Sequence, residues 1–274
     1  MAQPSNASQS NHRSMPTVAF ANQKGGVGKT TSAVNTAVVL ASRGYRVLLI
    51  DMDPQGNATS SLGVDKADLE ASTYDVLVED ATIEECRIRE VRPHLDLLPT
   101  DPTLAAAEIE LVSVKNREHR LAKACAGVRA DYDIALIDCP PSLGLLTINA
   151  LTAADSIVVP IQCEFLALEG VSQLIHTIDL TRRQLNPTLD LLGVLMTMYD
   201  ARTRLSAHVV EEVRSFFPDR IFKTVVPRSV RLAEAPSYGQ AISEYDPSSR
   251  GSSAYGDFAN ELVARLGLAQ PGTV

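Results

Sequence analysis

Seven short apolar runs punctuate the chain, at residues 17–21, 46–52, 95–99, 134–138, 156–161, 191–198 and 221–226. Most are continuously apolar rather than alternating, the pattern of strands covered on both faces of a parallel sheet. Between them, apolar residues recur at helical spacing over 30–42, 104–124, 145–151, 166–184, 206–216 and 255–266. This alternation predicts an α/β fold with a doubly wound, mostly parallel sheet and helices on both faces. Ligands are then expected at the carboxyl ends of the strands. No repeat, low-complexity insert or linker marks a second domain. The expected organisation is a disordered polar tail over 1–16, a single domain over 17–268 and a flexible C-terminus over 269–274.

Composition narrows the setting. Hydrophobic residues make up 45% of 274, enough for a sizeable core. No apolar run approaches the roughly 18 residues of a membrane span, and the polar start lacks the apolar centre of a secretory signal. Cys86, Cys125, Cys139 and Cys163 form no Cys-x-x-Cys pair. That argues against a zinc site and fits a reducing, cytoplasmic location. The net charge of −8 is uneven: residues 181–250 hold ten Lys/Arg against eight Asp/Glu. An acidic chain repels DNA at long range, so any contact with DNA must come from a local patch such as this one.

The densest chemistry lies after the first predicted strand. Lys24-Gly25-Gly26-Val27-Gly28-Lys29-Thr30-Thr31 occupies a strand-to-helix turn, where a phosphate-binding loop belongs. Its glycines let backbone N–H groups crowd around phosphate oxygens, and the helix N-terminus adds partial positive charge. Lys29 is placed to reach β- and γ-phosphates, and Thr30 to offer its hydroxyl to Mg²⁺. Lys24 is the unusual residue, a second lysine at the start of the loop.

Two further strands end in carboxylates. Asp51 and Asp53 close the second, on a loop with Pro54 and Gly56. Asp53 is a candidate to orient a water and accept its proton, and Asp51 to support Mg²⁺ or its waters. The run 134–138 ends in Asp138, a candidate to hold Mg²⁺ through a water. The loop Cys139-Pro140-Pro141-Ser142-Leu143-Gly144 follows and would respond to a γ-phosphate. Cys139 itself reads as a small buried residue. At Val226-Pro227-Arg228-Ser229 a strand runs into a proline-bounded loop whose backbone would meet a purine.

Together these segments resemble the ParA/Soj family of chromosome- and plasmid-partitioning ATPases, within the deviant Walker A superfamily. The resembling text is Asn22 to Thr31, Asp51 to Thr59, Ile137 to Ser142, Thr197 to Thr203 and Pro227 to Ser237. The likeness spans about 17–266. It implies a P-loop ATP hydrolase using ATP and Mg²⁺, in which ATP sandwiches two copies face to face. Lys24 would then reach into the partner's site as a cation supplied in trans, and Asp53 would support hydrolysis. Thr197, Pro227 and Ser229 match regions that hold the adenine. The resemblance also implies non-specific binding of double-stranded DNA by the ATP dimer. Arg202 and Arg231 would carry it, with Arg204 and Arg250 as neighbours. It further implies a stimulating ParB/Spo0J-like centromere-binding partner and a nucleoid-associated location. Only about 16 residues precede the first strand, so operator binding through an N-terminal helix-turn-helix domain is not expected.

Three alternatives stand beside this reading. A membrane-recruited positioning ATPase like MinD would need a basic amphipathic C-terminal helix, whereas Asp257 to Leu266 holds one cation and two acids. A redox ATPase like the nitrogenase iron protein would need a cluster cysteine shortly after the Asp138 loop, and none stands there. A scaffold without turnover would not need Lys24, Lys29, Thr30, Asp53 and Asp138 together.

Overall fold

The computed structural model describes residues 15–165, 167–168 and 171–271. Most of the expected tail over 1–16 lies outside these residues. So do 272–274 of the expected C-terminus and Leu166, Glu169 and Gly170 at the start of the helix expected over 166–184.

The strands are β1 (Thr17–Phe20), β2 (Val47–Asp51), β3 (Ile88–Arg92), β4 (Leu95–Leu98), β5 (Ile134–Asp138), β6 (Ser156–Gln162), β7 (Asp190–Tyr199) and β8 (Ile221–Pro227). They form one 8-stranded sheet in the order β3-β4-β2-β5-β1-β6-β7-β8. Each neighbouring pair is parallel except β3 and β4. All seven predicted strands are present. The eighth, β3, reads Ile-Arg-Glu-Val-Arg. It is an edge strand held by its hairpin to β4, so its charged composition gave no apolar run to detect.

The helices are α1 (Lys29–Ser42), α2 (Asn57–Ser61), α3 (Thr73–Leu77), α4 (Ile83–Cys86), α5 (Leu104–Glu110), α6 (Arg120–Ala126), α7 (Leu145–Ala153), α8 (Val171–Gln184), α9 (Arg204–Phe216), α10 (Val230–Glu234), α11 (Ile242–Tyr245) and α12 (Arg250–Leu266). The continuous helix expected over 104–124 is in fact broken. After α5 the chain tightens, turns extended at Val114 (ψ 132°) and takes a left-handed conformation at Asn116 (φ 55°) before α6. Asparagine tolerates that conformation at low cost, and helical spacing alone does not register it. α12 begins five residues earlier than the periodicity suggested, because the Ser249 hydroxyl accepts the Ser252 N–H at 3.2 Å.

Strand periodicity splits the core into two layers. Val18, Phe20, Val47, Leu49 and Leu136 pack with the buried faces of α1 and α12. Ala19, Leu48, Ile50, Ala135 and Ile137 face the residues contributed by α3, α5, α6, α7 and α8. Phe258 of α12 meets Phe222 edge-on at 4.8 Å and Phe20 at 6.3 Å. Its helix is thereby consumed in the core, with Tyr255, Ala259 and Leu262 buried beside it.

Both sheet edges are blunted. At β8, Glu261 of α12 accepts the N–H groups of Lys223 (2.8 Å) and Thr224 (2.7 Å). Nearby, the Arg265 guanidinium donates to the carbonyls of Leu192 and Ile221 over the Phe222 ring. At the other edge the pairing of β3 shifts register, and Glu90 within it sits at φ 49°.

Candidate active site

Strand register assembles the centre of the site. Phe20, the last residue of β1, pairs with Asp138 of β5, and Asp138 pairs on its other side with Asp51 of β2. Three neighbouring parallel strands thus deliver the start of the glycine-rich loop and two carboxylates to one point. In the loop, Gly26 and Gly28 have φ of 73° and 90°, which side-chain-bearing residues rarely adopt. Gly25 and Gly26 are exposed, and Val27 is buried. Lys29 opens α1 with only 6% exposure, and its ammonium donates to the Lys24 carbonyl at 3.3 Å. Burial lowers its pKa, opposed by the charges of Asp138, Cys139 and Asp53. Thr30 and Thr31 follow, half-buried.

The three carboxylates differ in how they are satisfied. Asp51 is fully buried. One oxygen accepts the Asp53 N–H (3.2 Å), and the other accepts both the N–H and the hydroxyl of Thr59 (each 2.8 Å). Burial pushes its pKa up to about 6 against the pull of those donors. Both oxygens are thus engaged in holding the 53–59 turn and α2, unlike those of Asp138. The support for Mg²⁺ expected of Asp51 therefore has no unpartnered oxygen behind it. Thr59 in turn accepts the Thr100 N–H at 3.0 Å, and the Thr73 hydroxyl is shared between the carbonyls of Asp51 and Pro99. Asp53 is 7% exposed. One of its oxygens accepts the Gln55 N–H at 3.0 Å, and the other has no hydrogen-bond partner among the described residues. Asp138 is fully buried, with both oxygens unpartnered.

Burial and then the charge of Asp51 raise the Asp138 pKa well above the usual range. The Thr30 hydroxyl draws it down without completing a hydrogen bond of ordinary geometry. An orphaned buried carboxylate is costly unless a cation or its water shell satisfies it. It therefore fits a hydrated divalent ion beside the Thr30 hydroxyl. Among the described residues no group of three or more His, Cys, Asp or Glu forms a metal cage. The Asp138 carboxylate and the Thr30 hydroxyl are a donor pair of the kind Mg²⁺ uses alongside phosphate oxygens and water.

Next to the loop lies a cavity of about 360 Å³, lined by Gly28, Thr31, Thr197, Pro227 and Ser229, with Met198, Val230 and Tyr255 among the remaining walls. The structure therefore gathers Thr197, Pro227 and Ser229 against the phosphate loop. The Thr197 hydroxyl, however, is spent on the Val27 carbonyl at 2.8 Å, so this residue braces the loop to β7. Met198 beside it has φ 53°, a conformation that costs about 1–3 kcal/mol in a non-glycine residue and is retained at ligand clamps. The Tyr255 hydroxyl reaches Ser32 of α1 at 3.2 Å, tying α12 to the first turn behind the loop.

Three of the four arginines lie beyond the carboxyl ends of the adjacent strands β7 and β8. Arg202 and Arg204 follow β7, and Arg231 follows β8. Arg250 starts α12 in a shallow cavity with Thr224 and Pro227. The Arg228 N–H donates to the Tyr199 carbonyl at 2.9 Å and joins the two loops. Arg202 is 87% exposed, yet its guanidinium forks onto Asp200 at 2.9 and 2.8 Å, which draws the Asp200 pKa down to about 2. Arg231 pairs with Glu234 at 3.2 Å and Asp246 at 3.8 Å and lies over the Tyr245 ring. Arg204 and Arg250 are exposed and form no ion pair among the described residues. The basic excess counted in the sequence is thus partly neutralised by carboxylates on the same loops.

Sequence reasoning missed Thr59, Met198 and Tyr255 as parts of the site. Thr59 lies in the Asp51–Thr59 motif and could have been found as a short-range acceptor–donor partner of Asp51. Met198 lies inside the resembling segment Thr197 to Thr203 but has no polar group to mark it, and Tyr255 carries no local signal.

Comparison with known proteins bears on the fold and the family. A family profile described as an AAA domain matches residues 15–191. The sporulation initiation inhibitor protein Soj of Bacillus subtilis is 56% identical over 247 residues, covering 90% of this chain and 98% of that protein. The chromosome partitioning protein ParA of Myxococcus xanthus is 50% identical over 248 residues, 90% of this chain and 88% of that protein. Among solved structures, one described as cobyrinic acid a,c-diamide synthase from Mycobacterium smegmatis, with bound ATP analog and magnesium, superposes with a TM-score of 0.82. It is 39% identical, covering 92% of this chain and 96% of that one.

Proposed function

This chain belongs to the Soj/ParA family of chromosome-partitioning ATPases, and from that premise we propose that it is an ATP-switched, DNA-binding segregation motor. The observation that carries the reading is the convergence of Lys29, Thr30 and the orphaned Asp138 beside a cavity of base size. ATP would lie with its phosphates on Gly25 to Thr31 and its adenine in the cavity with Thr197, Pro227 and Ser229. Thr30 and, through water, Asp138 would hold Mg²⁺, which neutralises charge on the β- and γ-phosphates. Lys29 meets the same phosphates from its own chain. The free oxygen of Asp53 orients the attacking water and receives its proton. Asp51 keeps Asp53 in place rather than meeting substrate. Lys24 of a second copy supplies the trans cation, so dimerisation depends on the γ-phosphate.

The dimer doubles the basic corner formed by Arg202, Arg204, Arg231 and Arg250. Two weak patches acting together raise affinity for duplex DNA by avidity. A ParB/Spo0J-like protein is the partner expected to stimulate turnover, and the nucleoid the expected location. The test is binding to random-sequence duplex DNA with ATP, with ADP and without nucleotide, over a salt series. Binding only with ATP, with log affinity falling linearly in log salt, is expected. An ATP dimer that binds no DNA would remove the DNA arm.

Two variants sharpen this test. Arg202→Glu with Arg231→Glu should abolish DNA binding while sparing the ATP dimer seen by light scattering, and unchanged DNA affinity would misplace the patch. Asp200→Asn frees Arg202 from its carboxylate and should strengthen DNA binding about two- to fivefold. Equal affinity in a gel-shift titration would mean that Asp200 does not compete with phosphate.

The membrane-recruited alternative gains no support, since the apolar face of α12 is packed in the core. Cysteine-based chemistry gains none either. All four thiols are buried, and burial pushes Cys86 up to about 11, Cys125 and Cys163 up to about 12, and Cys139 higher still.

A further inference from the structure

We infer that Asn22 is the positioning residue for Lys24, an inference that rests on Lys24 acting in trans. The β1–β6 ladder ends where the Ala21 N–H meets the Val158 carbonyl at 3.1 Å. Two residues further along β6, the Pro160 carbonyl is the next acceptor facing that side, but β1 has already turned away into the loop. The Asn22 side chain takes the vacated role. Its Nδ2 donates to the Pro160 carbonyl at 2.7 Å, and its Oδ1 accepts the Lys24 N–H at 3.0 Å. Asn22 is only 4% exposed, so water competes little for either bond.

The Lys24 backbone is therefore tied to β6 on its amide side, while its carbonyl holds the Lys29 ammonium. Lysine carries a compact charge on a long flexible stem, and aiming it across an interface requires a fixed Cα. Neither Asn22 bond is made to Gly25 to Thr31, which would meet the phosphates of their own chain; one link between the two is the bond from the Lys29 ammonium to the Lys24 carbonyl. Thr197 makes the complementary contact, bracing the Val27 carbonyl from β7. One polar side chain thus sets the trans lysine and another sets the phosphate loop.

The division of labour is testable. Asn22→Ala is expected to weaken ATP-dependent dimerisation at least tenfold, by analytical ultracentrifugation, while ADP affinity of the monomer stays within threefold by fluorescent-nucleotide titration. Thr197→Val should lower ADP affinity instead. Asn22→Asp keeps the acceptor for Lys24 but sets a carboxylate oxygen against the Pro160 carbonyl, and should also lose dimerisation selectively. Asn22→Ser, folded by circular dichroism, provides an intermediate case should alanine unfold the loop. ADP affinity falling in step with dimerisation across these variants would make Asn22 a general brace and overturn the inference. So would wild-type dimerisation by Asn22→Ala when Lys24→Ala does not dimerise. Normal dimerisation by Lys24→Ala would instead remove the trans-lysine reading itself.

Discussion

Lys24→Ala is expected to abolish ATP-dependent dimerisation while leaving nucleotide binding by the monomer nearly intact. In the proposed site the phosphates of one chain would be met by Lys29, which is buried at the head of α1 near Asp138 and Asp53. Lys24 sits five residues earlier, half-buried, and forms no ion pair among the described residues. Its ammonium is free to meet charge on another molecule. A cation supplied in trans to developing phosphoryl charge is worth about 10³–10⁵ in turnover where the effect has been measured in other phosphoryl-transfer enzymes. Loss of hydrolysis should therefore accompany loss of the dimer. The check is molar mass by light scattering with ATP and with a non-hydrolysable analogue, alongside monomer affinity for ADP. An intact dimer in the alanine variant would sink the trans role.

Asp53→Ala should have the opposite signature, a dimer that forms and persists. The Asp53 carboxylate spends one oxygen on the Gln55 N–H and keeps the other free. Its removal costs the turn only the Gln55 bond, because the rest is held by Asp51 and Thr59. Removing a general base costs about 10²–10⁴ in rate, so turnover should fall at least a hundredfold while ATP still closes the dimer and DNA remains bound. Phosphate release and gel shift on the same preparation read both halves. Unchanged turnover would exclude Asp53 from hydrolysis. Asp51→Ala differs in kind. It strips three hydrogen bonds from a buried turn and is expected to destabilise the fold.

The parts of this protein legible in the sequence are those written in local runs. β1, β2 and β5 are buried on both faces and appear as unbroken apolar segments ending at a glycine loop, Asp51 and Asp138. The loop itself needs no tertiary information, since Gly26, Gly28, Lys29 and Thr30 must stand at fixed offsets to do their work. What the sequence hid depends on partners far along the chain. β3 exists because β4 pairs with it, Tyr255 enters the site from more than two hundred residues beyond Ser32, and Asn22 finds its acceptor on β6. The arginines were legible as charge. Their pairing was not, because a net count treats paired and free cations alike: Asp200 and Glu234 stand two and three residues from Arg202 and Arg231, while Asp246 reaches Arg231 only through the fold.

The blunted sheet edges bear on life at high local concentration. If copies gather on one DNA molecule as proposed, they are crowded together, and an open strand would invite a neighbour to add on and seed irreversible stacking. Glu261 occupies the Lys223 and Thr224 N–H groups midway along β8, and the register shift in β3 interrupts the template on the far side. Strand addition between copies is thus disfavoured at both edges, which leaves the proposed nucleotide-dependent faces as the route by which copies would meet.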